Sequence, residues 1–360
     1  MSKNYIALVF AFALAACATP PSQTASAQSS ATPYKGSDPQ EIADRVVEAS
    51  KSTGKPLVLV GAGDIANCVT PRQAAHSEAT GKIVNSLPEA LVFTAGDNAY
   101  KLATADDFAN CYHPRWGASR ARTLPSPGNH DYGLGRDDAS SYFDYFGDNA
   151  GPDRRGYYSV DFGTWHIVSL NSDIIARLDE RETKSGEQTQ DALASSVANQ
   201  HQWLQDDLKA AGQRGVKCIL AIWHHPRYND NGRVHKSYAS MTKTWNALMQ
   251  VNADVVISGH EHRFDVYDPR DARGTASDAG MREFLVGNGG AGNEVKAQLG
   301  RDVEIDDHPA EAYGVLKMTL ADAGYAWEFV PIAEHRQVLT RLPKTSGSGV
   351  CHSKGQARPG

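Results

Sequence analysis

Apolar positions along the chain are grouped in two ways, and each grouping predicts one kind of element. Short continuous apolar runs predict buried β-strands at residues 57–60, 91–95, 218–223 and 255–258. Apolar residues spaced three or four apart predict amphipathic helices at residues 41–50, 74–87, 106–116, 200–211 and 245–251. Strands and helices therefore alternate along much of the chain.

A second group of strands has antiparallel character. These are predicted at residues 157–161 and 165–171, with shorter strands at 284–286, 315–319 and 326–330. The polar segment 172–200 has little pattern and is interpreted as a surface excursion. Together the elements predict an α/β fold, an α+β sandwich of two packed mixed β-sheets flanked by helices. No linker-like stretch divides residues 41–340, so we expect one domain there.

Both ends of the chain differ from this pattern. Residues 1–16 contain an apolar run too short to span a bilayer, which is typical of a signal peptide. The small residues before Cys17 resemble a bacterial lipobox, which implies a lipidated Cys17, membrane attachment and export to the periplasm as an outer-membrane lipoprotein. Ordinary cleavage nearby is the alternative. Residues 17–40 are predicted to be a disordered tether, and residues 341–360 a polar, mobile tail held at Cys351.

Composition narrows the classes of function. Hydrophobic residues make up 41% and charged residues 22% of the 360 positions, which is ordinary for a soluble globular protein. A net charge of -6 gives no basic face for nucleic acid. The sequence does not indicate an oligomeric state.

Export would place the remaining cysteines, Cys68, Cys111, Cys218 and Cys351, in an oxidising compartment where disulfides form. Three connectivities are possible. A Cys68–Cys111 bond is favoured because each of these residues lies just downstream of a polar block described below, and Cys218 would then pair with Cys351. A zinc site is disfavoured, since no two cysteines have the spacing of a ligand pair.

Five short polar blocks each follow an apolar run that is typical of a strand. They read Gly63-Asp64, Gly96-Asp97-Asn98-Ala99-Tyr100, Gly128-Asn129-His130-Asp131, His224-His225-Pro226 and Gly259-His260-Glu261-His262. Ligands of open α/β sheets collect at the carboxyl ends of the strands, so these side chains are expected at one edge. Five such blocks in order predict a two-metal hydrolase.

The residue types in the blocks suit a pair of metal ions. Two nearby cations need a bridging ligand, and Asp97, central among the blocks, is the natural carboxylate for that position. Imidazoles in the set favour first-row transition metals, because Mg²⁺ and Ca²⁺ sites are nearly all oxygen. The rest of the predicted set is Asp64, Asn129, His224, His260 and His262.

Residues 57–290 resemble the calcineurin-like metallophosphoesterase superfamily, and two details resemble its purple acid phosphatases. The first block, Asp64-Ile65-Ala66, lacks the His that many members carry, and the second block supplies Tyr100 three residues after Asp97. The resemblance implies the metallophosphoesterase fold and a centre of Fe(III) plus a divalent Fe, Zn or Mn ion. A core tyrosine with a hydrogen-bonded hydroxyl is the alternative for Tyr100.

The resemblance also implies roles for individual residues. Asp64, Tyr100 and His262 would hold the iron, Asp97 would bridge, and Asn129, His224 and His260 would hold the divalent ion. His130 would contact phosphate and protonate the leaving oxygen. Asp131 would orient His130, and His235 would be a second phosphate contact. His225 is then expected beside the ligands or in packing.

The implied function is hydrolysis of phosphate monoesters, small molecules met outside the cytoplasm, by attack of a metal-bound hydroxide. Phosphodiesterase action on cyclic nucleotides or glycerophosphodiesters is the enzymatic alternative. A non-catalytic lipoprotein that binds phosphate or metal is the alternative of a different class. Residues 262–266 depart from the family pattern, which leaves the substrate contacts open.

Overall fold

Two six-stranded sheets lie at the centre of the part of the chain that the structure describes. The computed structural model describes residues 34–134, 138–180, 190–229, 238–292, 312–340, 342 and 344–352. In chain order the strands are β1 (Leu57–Ala62), β2 (Leu91–Ala95), β3 (Thr123–Ser126), β4 (Tyr158–Phe162), β5 (Trp165–Ser169), β6 (Cys218–Ile222), β7 (Val255–Ser258), β8 (Phe264–Val266), β9 (Arg282–Val286), β10 (Gly314–Ala321), β11 (Gly324–Pro331) and β12 (Ser346–Val350).

Both sheets are mixed. The first sheet has the order β12-β11-β10-β1-β2-β3, with parallel pairing among β1, β2 and β3 and antiparallel pairing elsewhere. The second sheet has the order β4-β5-β6-β7-β9-β8, with parallel pairing from β5 to β9 and an antiparallel strand at each edge. Within each sheet, the parallel strands therefore end at a common edge.

Helices connect and cover the strands. In chain order they are α1 (Pro39–Thr53), α2 (Pro71–Asn85), α3 (His113–Trp116), α4 (Ser140–Phe146), α5 (Ser172–Glu180), α6 (Gln190–Arg214) and α7 (Thr242–Gln250). Local sequence explains the limits of α1. The Asp38 side chain accepts a hydrogen bond from the Gln40 N–H, Pro39 occupies the first turn, and Gly54 ends the helix at φ 66°.

The main core lies between the sheets. Leu59 of the first sheet and Leu220 of the second belong to one buried cluster, and both are fully buried. The outer faces are buried as well: Val60 packs in a cluster with Trp116, while α6 and α7 cover the second sheet. Strands buried on both faces give continuous apolar runs, which is why the sequence pattern found them. The predicted fold class, two packed mixed sheets flanked by helices, is confirmed.

Segment 172–200 is not the irregular excursion expected from its polarity. It forms α5 and the first part of α6 on either side of residues 181–189, which lie outside the described part. Ile175 and Val197 are buried in the cluster that covers the second sheet. Buried polar residues such as Asp173 and Gln200 interrupt the apolar face, so it did not stand out in the sequence.

Three strands were missed, and one of them, β8 at an edge of the second sheet, has only three residues. β3 is four residues long, contains Pro125, and pairs only with β2 among the described residues, so the proline sits at a sheet edge. β12 pairs antiparallel with β11, which corrects the prediction of a mobile tail for part of residues 341–360. Its Ser and Gly residues carry no apolar signal, and pairing with β11 orders them.

The tether predicted for residues 17–40 ends earlier than expected. The Ser37 N–H donates to Asn149 Oδ1 at 3.0 Å, and the Arg120 guanidinium lies 3.8 Å from the Tyr34 ring centre. Residues 34–40 therefore pack on the folded unit. Residues 1–33, with the predicted signal peptide and Cys17, lie outside the described part. Within the described part, no helix has both the length and the apolar character needed to cross a membrane.

Both predicted disulfides are present. Cys68 bonds Cys111, with Cα atoms 5.8 Å apart, and Cys218 bonds Cys351, with Cα atoms 5.4 Å apart. The first links the loop after β1 to the helical segment before α3. The second holds the residue after β12 against the start of β6.

Candidate metal centre

The five polar blocks converge where the parallel strands end. The first two blocks continue the β1–β2 pairing beyond the strands: Asp64 N–H donates to Gly96 O at 3.0 Å, and Tyr100 N–H to Ala66 O at 2.8 Å. Ligand atoms of Asp64, Asp97 and His224 all lie within 4.8 Å of one another, and all three residues are buried. The sheet edges thus bring together side chains far apart in sequence.

Three donors form a first set around the Tyr100 hydroxyl. Its Oη lies 2.9 Å from Asp64 Oδ1, 2.9 Å from Asp97 Oδ2 and 3.1 Å from His262 Nε2. His262 Nε2 is also 3.2 Å from Asp64 Oδ1. Two carboxylates, a phenol and one imidazole make this an oxygen-rich group.

A second set is richer in nitrogen. Asn129 Oδ1 lies 3.1 Å from His224 Nε2 and 3.0 Å from His260 Nδ1. The two imidazole nitrogens are 3.2 Å apart. Three ligand atoms this close together, each with a lone pair, can bind one cation.

Asp97 belongs to both sets. Its Oδ2 lies 2.9 Å from the Tyr100 hydroxyl and 3.3 Å from His224 Nε2, while Oδ1 accepts the His130 N–H at 2.8 Å. A carboxylate between an oxygen-rich and a nitrogen-rich group has the placement of a bridging ligand. The seven predicted side chains therefore fit two metal ions.

The backbone is unusual at the same places. Asp64, Asp97 and His260 have φ of 57°, 52° and 75°, in the left-handed region that non-glycine residues rarely adopt. Gly96, at φ 81°, approaches His224 so closely that a Cβ would lie 2.5 Å from Nδ1. Such backbone conformations cluster at functional sites, where surrounding structure enforces them.

Electrostatics show what the two sets require. Burial, Asp64 and Asp97 raise the pKa of Tyr100 well above its ordinary 10.0, so the phenol by itself stays protonated at neutral pH. Burial opposes the charge of Asp97, but His224 and His130 hold the pKa of this carboxyl well below its usual value. Only a strong nearby cation would ionise Tyr100 here.

His130 lies beside the centre. Its ring packs on Tyr100 with centroids 4.2 Å apart, and Nε2 is 3.9 Å from Asp97 Oδ2. Its Nδ1 lies 2.6 Å from the Lys101 carbonyl oxygen, which can only accept a hydrogen bond. The ring is therefore oriented with Nε2 toward the centre.

The role predicted for Asp131 is corrected. Its carboxylate accepts hydrogen bonds from the Gly128 N–H at 2.9 Å and from Asn98 Nδ2 at 2.9 Å, so it joins the second and third blocks. The contact that orients the His130 ring through Nδ1 comes from Lys101. A backbone carbonyl carries no sequence signal, which is why the sequence suggested the neighbouring carboxylate. His235 lies outside the described residues.

The sequence model of the calcineurin-like phosphoesterase family matches residues 40–264. The chain belongs to the calcineurin-like phosphoesterase family. This confirms the superfamily predicted from the blocks and, with it, the class of metal-dependent phosphoesterases.

Two relatives are similar to part of this metallophosphoesterase. Purple acid phosphatase 22 of Arabidopsis thaliana is 30% identical over 135 residues, which is 37% of this chain and 27% of the relative. Purple acid phosphatase 21 of the same plant is 23% identical over 207 residues, 55% of this chain and 42% of the relative. The chain thus matches less than half the length of either relative.

Solved structures agree on the fold. A purple acid phosphatase from yellow lupin (Lupinus luteus) seeds superposes with a TM-score of 0.54 at 15% identity, covering 82% of this chain and 53% of that one. A dimetal phosphatase from Danio rerio gives 0.56 at 11% identity, covering 83% and 100%. At such identities the likeness shows the metallophosphoesterase fold alone.

Two residues that lie beside the predicted ligands were not identified from the sequence. Ser172 Oγ accepts hydrogen bonds from the His224 and His225 N–H groups and lies 3.0 Å from His225 Nδ1. It follows β5, a parallel strand whose end was predicted, so its position could have been noticed. Tyr238, whose Oη lies 2.9 Å from His260 Nε2, is outside every block and gave no signal.

Proposed function

We propose that this metallophosphoesterase hydrolyses phosphate monoesters at a centre of two metal ions. The observation that carries the proposal is the division of seven buried donors into two sets that share Asp97. Bound there, two metal ions lower the pKa of coordinated water and neutralise charge on the phosphoryl group.

For the first set we propose Fe(III), and for the second a divalent Fe, Zn or Mn ion. Tyr100 supports iron, because its phenol is buried against two carboxylates that resist its ionisation. A trivalent cation meets that need better than a divalent one. The second set, with two imidazoles and an amide oxygen, suits borderline divalent ions.

His130 is proposed to serve the leaving group. Nδ1–H donates to the Lys101 carbonyl, so Nε2 points to the space beside Asp97. A protonated Nε2 can bind a phosphoryl oxygen and pass its proton to the departing alkoxide. His235, outside the described residues, is proposed as a second phosphate contact.

We further propose that the protein is exported and anchored through a lipidated Cys17, as a periplasmic outer-membrane lipoprotein. The two disulfides support export, since such bonds persist in oxidising compartments. Cys17→Ser should leave specific activity unchanged and move the protein to the soluble fraction. Continued membrane association of that variant would refute the anchor.

The function is tested with two esters of one leaving group. The purified protein should contain two metal ions and hydrolyse 4-nitrophenyl phosphate faster than bis(4-nitrophenyl) phosphate. The reverse preference would support the phosphodiesterase alternative. Two bound metals without turnover of either ester would support a binding protein instead.

A further inference from the structure

Each imidazole of the centre has a second ring nitrogen, and its partner decides which nitrogen can face a metal. In His224, Nδ1 lies 2.8 Å from the Ala95 carbonyl oxygen, and in His262, Nδ1 contacts the Gly292 carbonyl oxygen. Carbonyl oxygens only accept hydrogen bonds, so both rings carry hydrogen on Nδ1. Their Nε2 lone pairs then point into the centre.

His260 is turned the other way. Its Nδ1 faces the centre, 3.0 Å from Asn129 Oδ1, and its Nε2 lies 2.9 Å from the Tyr238 hydroxyl. For Nδ1 to offer a lone pair, Nε2 must carry the hydrogen and donate it to that hydroxyl. The partner of this imidazole is therefore a side chain, where the other two rings have backbone carbonyls.

Tyr238 is itself held in place. Its N–H donates to Pro226 O at 3.1 Å, and its carbonyl accepts the Met241 N–H at 3.0 Å. Its ring packs on His225 with centroids 4.7 Å apart at 63°. These contacts fix the position of the Tyr238 hydroxyl beside His260 Nε2. Along the chain, Tyr238 follows the His224 block.

The turn that carries His260 has a second attachment to the same loop. Asn229 Nδ2 donates to Glu261 Oε1 at 2.7 Å, and all the atoms involved are buried. Asn229 and Tyr238 therefore contact the His260-Glu261 segment, each through one side-chain hydrogen bond. Both residues lie outside the five blocks.

We propose that Tyr238 is a positioning residue, which accepts the Nε2–H of His260 and thereby directs Nδ1 to the divalent ion. The inference rests on the proposed two-metal function. Outer partners of metal-binding histidines typically contribute about 10–100-fold in metal affinity. The effect should be confined to the second set, because His262 of the first set is held by Gly292 instead.

The test compares Tyr238 with a second tyrosine, Tyr228. Tyr238→Phe should bind Zn²⁺ about 10–100-fold more weakly in a competition titration with a chromophoric chelator, while the iron content of the purified variant stays at the wild-type level. Tyr228→Phe is the matched control: its ring packs on Trp245, with centroids 5.1 Å apart. This control should keep the wild-type Zn²⁺ affinity, and circular dichroism should show both variants folded.

The outcomes separate this inference from the function on which it rests. Wild-type binding of Zn²⁺ with no change in Tyr238→Phe would overturn the inference alone. So would an equal loss in Tyr238→Phe and Tyr228→Phe, because the loop and not the hydroxyl would then be responsible. A wild-type protein that binds no divalent ion would overturn the two-metal function and the inference with it.

Discussion

The two sheets supply the metal centre with different chemistry. Loops after β1, β2 and β3 of the first sheet carry the oxygen donors, and loops after β6 and β7 of the second carry the imidazoles. The oxygen donors are Asp64, Asp97, Tyr100 and Asn129, and the imidazoles are His224, His260 and His262. Each proposed metal site combines oxygen from one sheet with nitrogen from the other.

The two sides are also held differently. Backbone hydrogen bonds that extend the β1–β2 pairing fix the oxygen side, such as Asp64 N–H to Gly96 O at 3.0 Å. The imidazoles are fixed through their second ring nitrogens, and His224 reaches across to the Ala95 carbonyl of β2. Metal ions that bind both sides stabilise the folded chain, since they bind the native state preferentially.

The largest effect is expected at Asp97, the ligand that the two proposed metal sites share. Asp97→Asn keeps the shape but removes the charge between the two sets. Both metals should be lost, and activity should fall well beyond the ~10²-fold cost of an outer partner. Metal analysis of the purified variant measures this. Asp322→Asn, at an exposed position, is the control and should match the wild type; a metal-loaded Asp97→Asn protein would contradict the bridging role.

A residue outside both sets should affect chemistry without affecting metal. His130→Ala should retain two metals but hydrolyse esters with poor leaving groups ~10²–10⁴-fold more slowly. An activated leaving group needs the proton least, so the loss on 4-nitrophenyl phosphate should be smaller. His113→Ala, a histidine away from the centre, should change neither rate. Equal losses on both kinds of ester would exclude proton donation.

Tyr100→Phe and His260→Ala should separate the two sets. If Tyr100 binds Fe(III) as a phenolate, the oxidised wild type should show a visible charge-transfer band, and Tyr100→Phe should lose it and retain less iron. His260→Ala should keep the band and lose the divalent ion. A structural Tyr100 predicts an unchanged spectrum, with about 1 kcal/mol of stability lost from one hydrogen bond.

The smallest effect is expected at a structural histidine of the second sheet, His166. His166 lies between Asp161 Oδ1 at 2.7 Å and Asp207 Oδ2 at 2.8 Å. Burial lowers its pKa, but hydrogen bonds to these two carboxylates outweigh burial and raise it above 6.5. Its stabilisation is therefore complete below the unfolded-state value and is lost as pH rises through the folded-state value.

His166→Gln should accordingly cost stability in acid and less in base. Urea unfolding of wild type and variant should differ by about 1–3 kcal/mol near pH 5.5, as for hydrogen bonds to charged groups. The difference should shrink toward pH 9. A difference independent of pH would show that His166 is neutral in the native protein.

Sequence patterns predicted the strands that are buried on both faces and the polar residues that follow those strands. β2 and β7 were placed correctly because each is a short, mostly apolar run in which every residue is buried. The seven predicted metal ligands lie together, because the parallel strands of each sheet end at a common edge. β12 and α5 were missed because their order comes from pairing with β11 and packing on the second sheet.

Contacts between loops could not be predicted from the sequence, because they too depend on the tertiary structure. The orientation of His130 depends on the Lys101 carbonyl, which every residue type possesses. Tyr238 meets His260 from a loop with no pattern of its own. Such partners are set by where two loops approach, and that distance is fixed only when the whole domain is assembled.

The disulfides enclose two of the oxygen donors and all three imidazoles in separate covalent rings. The Cys68–Cys111 ring, with a sequence separation of 43, contains Asp97 and Tyr100, whereas the Cys218–Cys351 ring, with a separation of 133, contains all three imidazoles. A chain made from its amino end can close the first ring once Cys111 has emerged, before any imidazole ligand exists. The second ring must wait for Cys351. The ring around Asp97 and Tyr100 can therefore close first, and the ring around the imidazoles closes last.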